Sequence, residues 1–306
     1  MLIIGSDPPT DDKTRPGDAT LLSSEKIFAA AERLPPFPGV IWKVMSLVRQ
    51  MAPVREIEEV IKYDQAIAAK VLTMCHSPFY AQRCAIGSLR DAIVVLGDEK
   101  LIQIVMTACS ARYFEPEISG YELREGEIWQ HAVATALIAE KVAARLGKDK
   151  VFASYTAGLL HDIGKAVLSF QVKSYMDAIL FQMAKKGLPF LDAERVTLGV
   201  DHQELGEMLA RRWGFPPEVV IGIGYHHRPK EAESHKDVAA AVYVANRIAT
   251  ALGFSCVLQT LASSYEDDIF KILGIKIDMV EGFWSDVASG KQEIEQLIGE
   301  LPHSEI

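Results

Sequence analysis

Apolar residues in this chain recur three and four positions apart, and nowhere do they alternate with polar ones. That spacing lays one stripe along a helix and excludes a half-buried strand, so the expected fold class is all-α, a multi-helical bundle. Proline and glycine cut the pattern into lengths. A first helix is expected after Ser23 or Ser24, running towards Arg33, with Leu34-Pro-Pro-Phe-Pro-Gly39 forcing an extended break. Helices over 40–51, from 54, and from about 64 to 75 follow. The first places Val40, Ile41, Val44, Leu47, Val48 and Met51 on one face, and Pro53 stops it. Ser88-Leu-Arg-Asp91 reads as a capping box with Asp in the place of Glu, and Gly97 as a helix end. Further helices are expected over 127–146, 150–160, 167–186, 190–199, 202–213, 218–227 and 235–252. Two or three more lie in 254–306, one capped at Asp278.

The 306 residues suffice for one large domain or two ordinary ones, and 49% hydrophobic against 24% charged residues is ordinary for a packed soluble chain. Residues 1–21 combine proline, glycine and charge and read as a flexible tail. The remainder divides into an N-terminal helical subdomain (22–114), a second helical subdomain (126–252) and a C-terminal helical appendage (253–306). Phe254, Phe270, Leu273 and Trp284 of the appendage would pack back on the second subdomain or form a homodimer. A net charge of −9 argues against general nucleic-acid binding and against an anionic membrane surface, both of which need clustered Lys and Arg. Segment 88–110 has the outline of a helix-turn-helix, but its mixed charges favour an ordinary αα-hairpin. Cys75, Cys84, Cys109 and Cys256 are widely spaced, as reduced thiols of a cytoplasmic protein would be. No apolar run has the length of a membrane span, and the N-terminus has no basic region followed by an apolar core, so no signal peptide is expected.

The chemistry is concentrated at Gly158-Leu-Leu-His161-Asp162-Ile-Gly-Lys165, where an imidazole and a carboxylate stand side by side at the end of an apolar run. Neighbours on a helix point roughly 100° apart, so this pair needs ligands from other helices. His131, His202, His226 and His227 lie near helix ends beside apolar positions. Five inward imidazoles are costly to bury without a common partner, and a divalent transition metal, one ion or two, supplies it. Glu127, one turn before His131, can face the same ion. Imidazole with carboxylate favours Fe or Mn over Zn. Such a centre could activate a water against a phosphoester, with Asp162 as a catalytic group and Lys165 on the phosphate. His76, His235 and His303 fall outside the pattern, and Arg211, Arg212 and Arg228 read as solvated.

At these residues the chain resembles a known family. His161-Asp162 with His131 before it is similar to the HD superfamily of metal-dependent phosphohydrolases. Leu34-Pro-Pro-Phe-Pro-Gly-Val40, Cys75-His-Ser-Pro-Phe-Tyr80 and Ser88-Leu-Arg-Asp-Ala-Ile-Val-Val-Leu-Gly97 resemble the HDOD family within it. So do Trp129-Gln-His131, Ala157–Lys165, His202 to Trp213-Gly-Phe-Pro216 and Tyr225-His-His-Arg-Pro229. The likeness covers roughly 22–250. It implies an all-α bacterial signalling module, regulatory in most members, acting beside two-component or cyclic-di-GMP proteins. Many members have lost the metal ligands. This chain resembles the related HD-GYP phosphodiesterases at Glu127, His131, His161, Asp162, Lys165, His202, His226 and His227. Asn246 stands where the resemblance implies a closing Asp, and is a weaker ligand. The Gly-Tyr-Pro signature is missing after His227, so cyclic-di-GMP hydrolysis does not carry over.

Three readings follow. The first is a metal-binding regulatory module that acts through signalling partners or a nucleotide-like ligand. The second is a phosphohydrolase acting on a nucleotide or cyclic dinucleotide. The third is a scaffold with satisfied core histidines.

Overall fold

The computed structural model describes residues 24–76, 88–114, 121, 126–145, 147–254 and 269–274. Every regular element among them is helical. In the first part, α1 (Ser24–Glu32), α2 (Gly39–Arg49), α3 (Val54–Ile61), α4 (Gln65–His76) and α5 (Leu89–Ala111) follow one another. Their ends are set locally. Pro38 and Pro53 stand at the N-caps of α2 and α3, where a missing N–H is harmless. The Asp64 carboxylate accepts from the Ile67 N–H at 3.2 Å and starts α4. Ser88 accepts from the Asp91 N–H at 3.1 Å and donates its hydroxyl to the Asp91 carboxylate at 2.7 Å. Gly97 breaks α5 with a φ of 69°, a left-handed conformation that only glycine adopts freely.

The second part contains α6 (Glu127–Ala143), α7 (Lys148–Leu160), α8 (Ile163–Lys186), α9 (Phe190–Leu198), α10 (His202–Arg212), α11 (Pro217–Gly224) and α12 (Lys236–Ala251), with a 3-10 turn at Pro229–Glu231. The centre is α6 sandwiched by α7 and α12. Its buried face is mostly small: Ala132, Ala134, Ala136 and Ala139. Small residues let backbones close in, and a Cβ on Gly158 of α7 would stand 3.0 Å from the Ala136 Cα.

The two parts share an aromatic knot. Phe37, from the proline-rich break after α1, lies 5.0 Å from Phe215, 5.4 Å from Trp213 and 5.8 Å from Tyr113, centroid to centroid. Four large rings buried together contribute on the order of 2 kcal/mol each from area alone. Polar pins surround them. Tyr113 donates its hydroxyl to the Pro36 carbonyl at 3.0 Å, and Arg212 of α10 donates to the Ala31 carbonyl of α1 at 3.0 Å. Lys100 of α5 pairs with Glu140 of α6 at 2.7 Å.

Several boundaries differ from the sequence expectation. Helix α8 begins at Ile163 rather than near 167, directly after His161-Asp162. Helix α11 ends at Gly224, because Tyr225 adopts a non-helical conformation (φ −125°, ψ 19°), so His226 and His227 lie in the following turn and not on a helix. His235 takes a φ of 48° before α12 rather than starting it. Helix α13 (Ile269–Ile272) packs on α12, with Ile269 and Leu273 buried. The tail, most of the appendage including Asp278 and Trp284, the side chain of Phe270, Cys84, Cys256 and His303 lie outside the described residues. Cys75 and Cys109 are buried free thiols, pushed by burial to about 11 and about 12. Among the described residues no helix is long and apolar enough to cross a membrane.

Candidate metal centre

The apolar run of α7 ends at Leu159 and Leu160, both fully buried, and delivers His161 to the interior as the helix cap. Asp162 then leaves helical geometry (φ −96°, ψ 11°), and α8 starts one residue later. The first turn of α8 presses against the start of α10. A Cβ on Gly164 would lie 2.0 Å from the His202 carbonyl oxygen, so this crossing requires glycine. Asp201 caps α10 by accepting from the Glu204 N–H at 2.9 Å and is held by Arg195 at 2.6 Å. Gly222 brings α11 onto α7, where a Cβ would stand 2.6 Å from that of Ala157. These contacts carry His202, His226 and His227 to the Asp162 carboxylate.

Around that carboxylate the side chains converge. Asp162 Oδ2 lies 3.3 Å from His161 Nε2, 4.0 Å from His131 Nε2 and 2.7 Å from Lys165 Nζ. Its Oδ1 lies 3.7 Å from the Nε2 atoms of both His202 and His226. His227 Nε2 is 3.1 Å from His202 Nε2. Two groups of donor atoms result, each within 4.8 Å of one another: His131, His161 and Asp162, and Asp162, His202, His226 and His227. Asp162 belongs to both.

The far side of four of the rings is committed. Nδ1–H donates to the Phe254 carbonyl in His131 (2.5 Å), to Gly158 in His161 (2.7 Å) and to Ile223 in His226 (2.7 Å). In His202 it donates to the Glu194 carboxylate at 2.6 Å. A carbonyl or carboxylate oxygen only accepts, so Nδ1 carries a proton in each, and in His131 and His226, which burial holds neutral, the lone pair is on Nε2. Those lone pairs face a carboxylate, an arrangement that repels unless a cation lies between. The Nε2 atoms of His131, His161 and His226 are buried with no hydrogen-bond partner among the described residues. Burial pushes His131 down to about 3 and His226 and His227 well below their ordinary range, so these rings are neutral. Burial works to raise the Asp162 carboxyl, but His161, Lys165 and His202 outweigh it and hold it well below the usual range. Imidazoles around a shared carboxylate, four of them fixed from behind at Nδ1, suit a divalent transition metal.

Some expected residues stand elsewhere. Glu127 opens α6 one turn before His131, half-buried, and joins neither donor group. Asn246 is buried on α12, which packs against α6, and its backbone carbonyl accepts from the Thr250 hydroxyl. The Lys165 amine sits on Asp162. Arg228 is paired with Asp192 rather than simply solvated. Sequence reasoning missed Glu194, Gln203 and Tyr121. Glu194 is fully buried and accepts from the Tyr121 hydroxyl at 2.6 Å as well as from His202. Gln203 accepts from the His227 N–H at 2.6 Å and so fixes that turn. A signal for Glu194 existed: it falls on the apolar stripe of α9, three and four residues from Leu191, Phe190 and Leu198.

Fold and site define an all-helical protein of HD type, with a buried cluster of histidines around one aspartate. The HDOD domain family model matches residues 34–229, and the chain belongs to the HDOD family. A solved HDOD domain protein of Geobacter sulfurreducens superposes with a TM-score of 0.71 at 22% identity, covering 92% of this chain and 99% of that one. A candidate phosphohydrolase of Shewanella amazonensis gives 0.69 at 25% identity, covering 90% and 98%. Among curated relatives, an uncharacterised protein of Treponema pallidum is 23% identical over 71% of this chain and 42% of its own length. A ribonuclease Y of Thermus thermophilus is 36% identical over 35% of this chain and 14% of its own. The chain thus matches less than half the length of either curated relative.

Proposed function

We propose that this chain is a regulatory HDOD module of a bacterial signalling pathway, built around a centre that holds one or two divalent transition-metal ions. It acts through a signalling partner, or through a nucleotide or cyclic-dinucleotide ligand, rather than through turnover. The observation that carries this reading is enclosure. His131, His161, Asp162, Lys165, His202 and His226 are each no more than 3% exposed. Among the described residues the lysine beside the cluster, Lys165, is buried and paired with Asp162 at 2.7 Å, which holds its amine on the carboxylate rather than out towards a substrate. His and carboxylate donors without thiolate favour Fe or Mn over Zn. The buried reduced thiols fit a cytoplasmic module. The remaining surface would meet a protein partner, a second copy of the chain included.

A second reading, a phosphohydrolase, is favoured by one observation: Asp162 belongs to both donor groups, as a carboxylate bridging two ions would. The names of the Shewanella and Thermus relatives point the same way. A bound metal would supply activated water and hold phosphate oxygens. The two readings part in one assay, in which Mn-loaded and Fe-loaded protein is given bis(p-nitrophenyl) phosphate and cyclic di-GMP. The regulatory reading expects no turnover above that of an Asp162→Asn variant. Turnover that this variant abolishes makes the chain a hydrolase.

A further inference from the structure

The four buried histidines around Asp162 are not supported alike. Carbonyl oxygens stand behind His131, His161 and His226. Behind His202 stands a carboxylate, Glu194, at 2.6 Å. We infer that Glu194 is a positioning residue which, through the Nδ1 of His202, makes the group of Asp162, His202, His226 and His227 the tighter of the two metal sites. The inference rests on the metal-centre reading above.

A carboxylate on the far nitrogen raises the electron density of the ring and fixes its tautomer more firmly than a neutral carbonyl does. Glu194 is itself immobile. It is fully buried, and its Oε2 accepts from both the Nδ1–H and the backbone N–H of His202, the latter at 2.9 Å. Its Oε1 takes the Tyr121 hydroxyl at 2.6 Å. Holding the start of α10 requires only an acceptor, which a neutral amide oxygen would provide. A buried negative charge is an expensive way to do that alone, so the charge is there for the ring. The supported group also offers four protein donors against three in the other.

The test is Co2+ affinity of the full chain, by competition with a chromogenic chelator, in wild type, Glu194→Gln, His202→Ala and the double variant. Glu194→Gln should weaken the tighter step about 10- to 100-fold and change the d–d spectrum of that ion, with the weaker step unmoved. In the His202→Ala background it should cost nothing further, because the effect runs through that ring. An unchanged tight step, or an equal loss without His202, overturns the inference. Failure of wild type to take up Co2+ overturns the metal reading as well. If Glu194→Gln does not fold, Tyr121→Phe decides: it leaves the charge less neutralised, so the tight step should hold or tighten. A tenfold loss there contradicts the proposal.

Discussion

Asp162 and His161, consecutive in the chain, meet again through their side chains, Oδ2 to Nε2 at 3.3 Å. Neighbours on a continuous helix diverge by roughly 100° and could not do this. They meet because the helix ends between them, with Asp162 at ψ 11° before α8 begins. The break also sets the carboxylate between the two groups of histidines.

Asp162→Asn should therefore remove more metal than loss of any one histidine. The substitution keeps the shape but takes the only charge shared by both groups. We expect metal affinity to fall further than in His131→Ala or His226→Ala, because the change weakens a donor in both groups where each histidine variant removes one from a single group. Elemental analysis after equal dialysis checks this, and equal retention in all three variants would contradict it.

The metal-free protein should lose stability as acid is added. Burial first, and neighbouring cationic or imidazole groups second, hold His131 at about 3 and His226 and His227 well below their ordinary 6.5. Between those values the unfolded chain binds more protons than the folded one, so stability is present above about pH 6.5 and declines below it. Each such histidine contributes a slope of about 1.4 kcal/mol per pH unit. Thermal melts of chelator-treated protein from pH 7.5 to 5 should fall steeply. A flat profile would show that the rings are not held neutral.

Much of this cluster was legible in the sequence because five histidines beside apolar positions near helix ends, each alone an ordinary core or surface residue, are together costly to bury without a common partner. His131, His161, Asp162, His202, His226 and His227 are all drawn to one place. The turn that carries His226 and His227 was not legible as a turn. Gly222 and Gly224 fit a helix by spacing, and only the packing of Gly222 on Ala157 shows why that position is a glycine. Glu194 was overlooked because an acidic residue in a short helix reads as solvent-facing. Its partner Tyr121 lies 73 positions away, a distance that no local pattern reports. Gly164 was read as part of a motif, whereas its role is the approach of two backbones.

That approach gives a sharp stability test. Gly164→Ala would place a methyl 2.0 Å from the His202 carbonyl oxygen, a backbone atom that cannot rotate away. Overpacking of this kind costs about 1–3 kcal/mol or more, and here it also moves His202 off the centre. Gly39→Ala, where a Cβ would meet nothing within 4 Å, should stay within about 1 kcal/mol of wild type. Comparable melting temperatures for the two variants would refute the close crossing.

Phe37→Ala should uncouple the first helices from α10 without touching the metal donors. The ring contacts Trp42, Tyr113, Trp213 and Phe215, and deleting it should cost about 3–5 kcal/mol. For a chain of this size that is a fall of roughly 5–8 °C in Tm, with metal content preserved. Loss of metal with no fall in Tm would mean that the knot and the centre are linked differently.

The central claim is that the buried histidines share a metal. Its most direct measurement is transition-metal content per chain, for untagged protein purified without chelator, set beside His161→Ala. We expect one to two ions of Fe or Mn type per wild-type chain and a clear loss in the variant. Folded wild-type protein that stays metal-free when Fe2+ and Mn2+ are supplied would contradict the account and leave the histidines around Asp162 without a common partner.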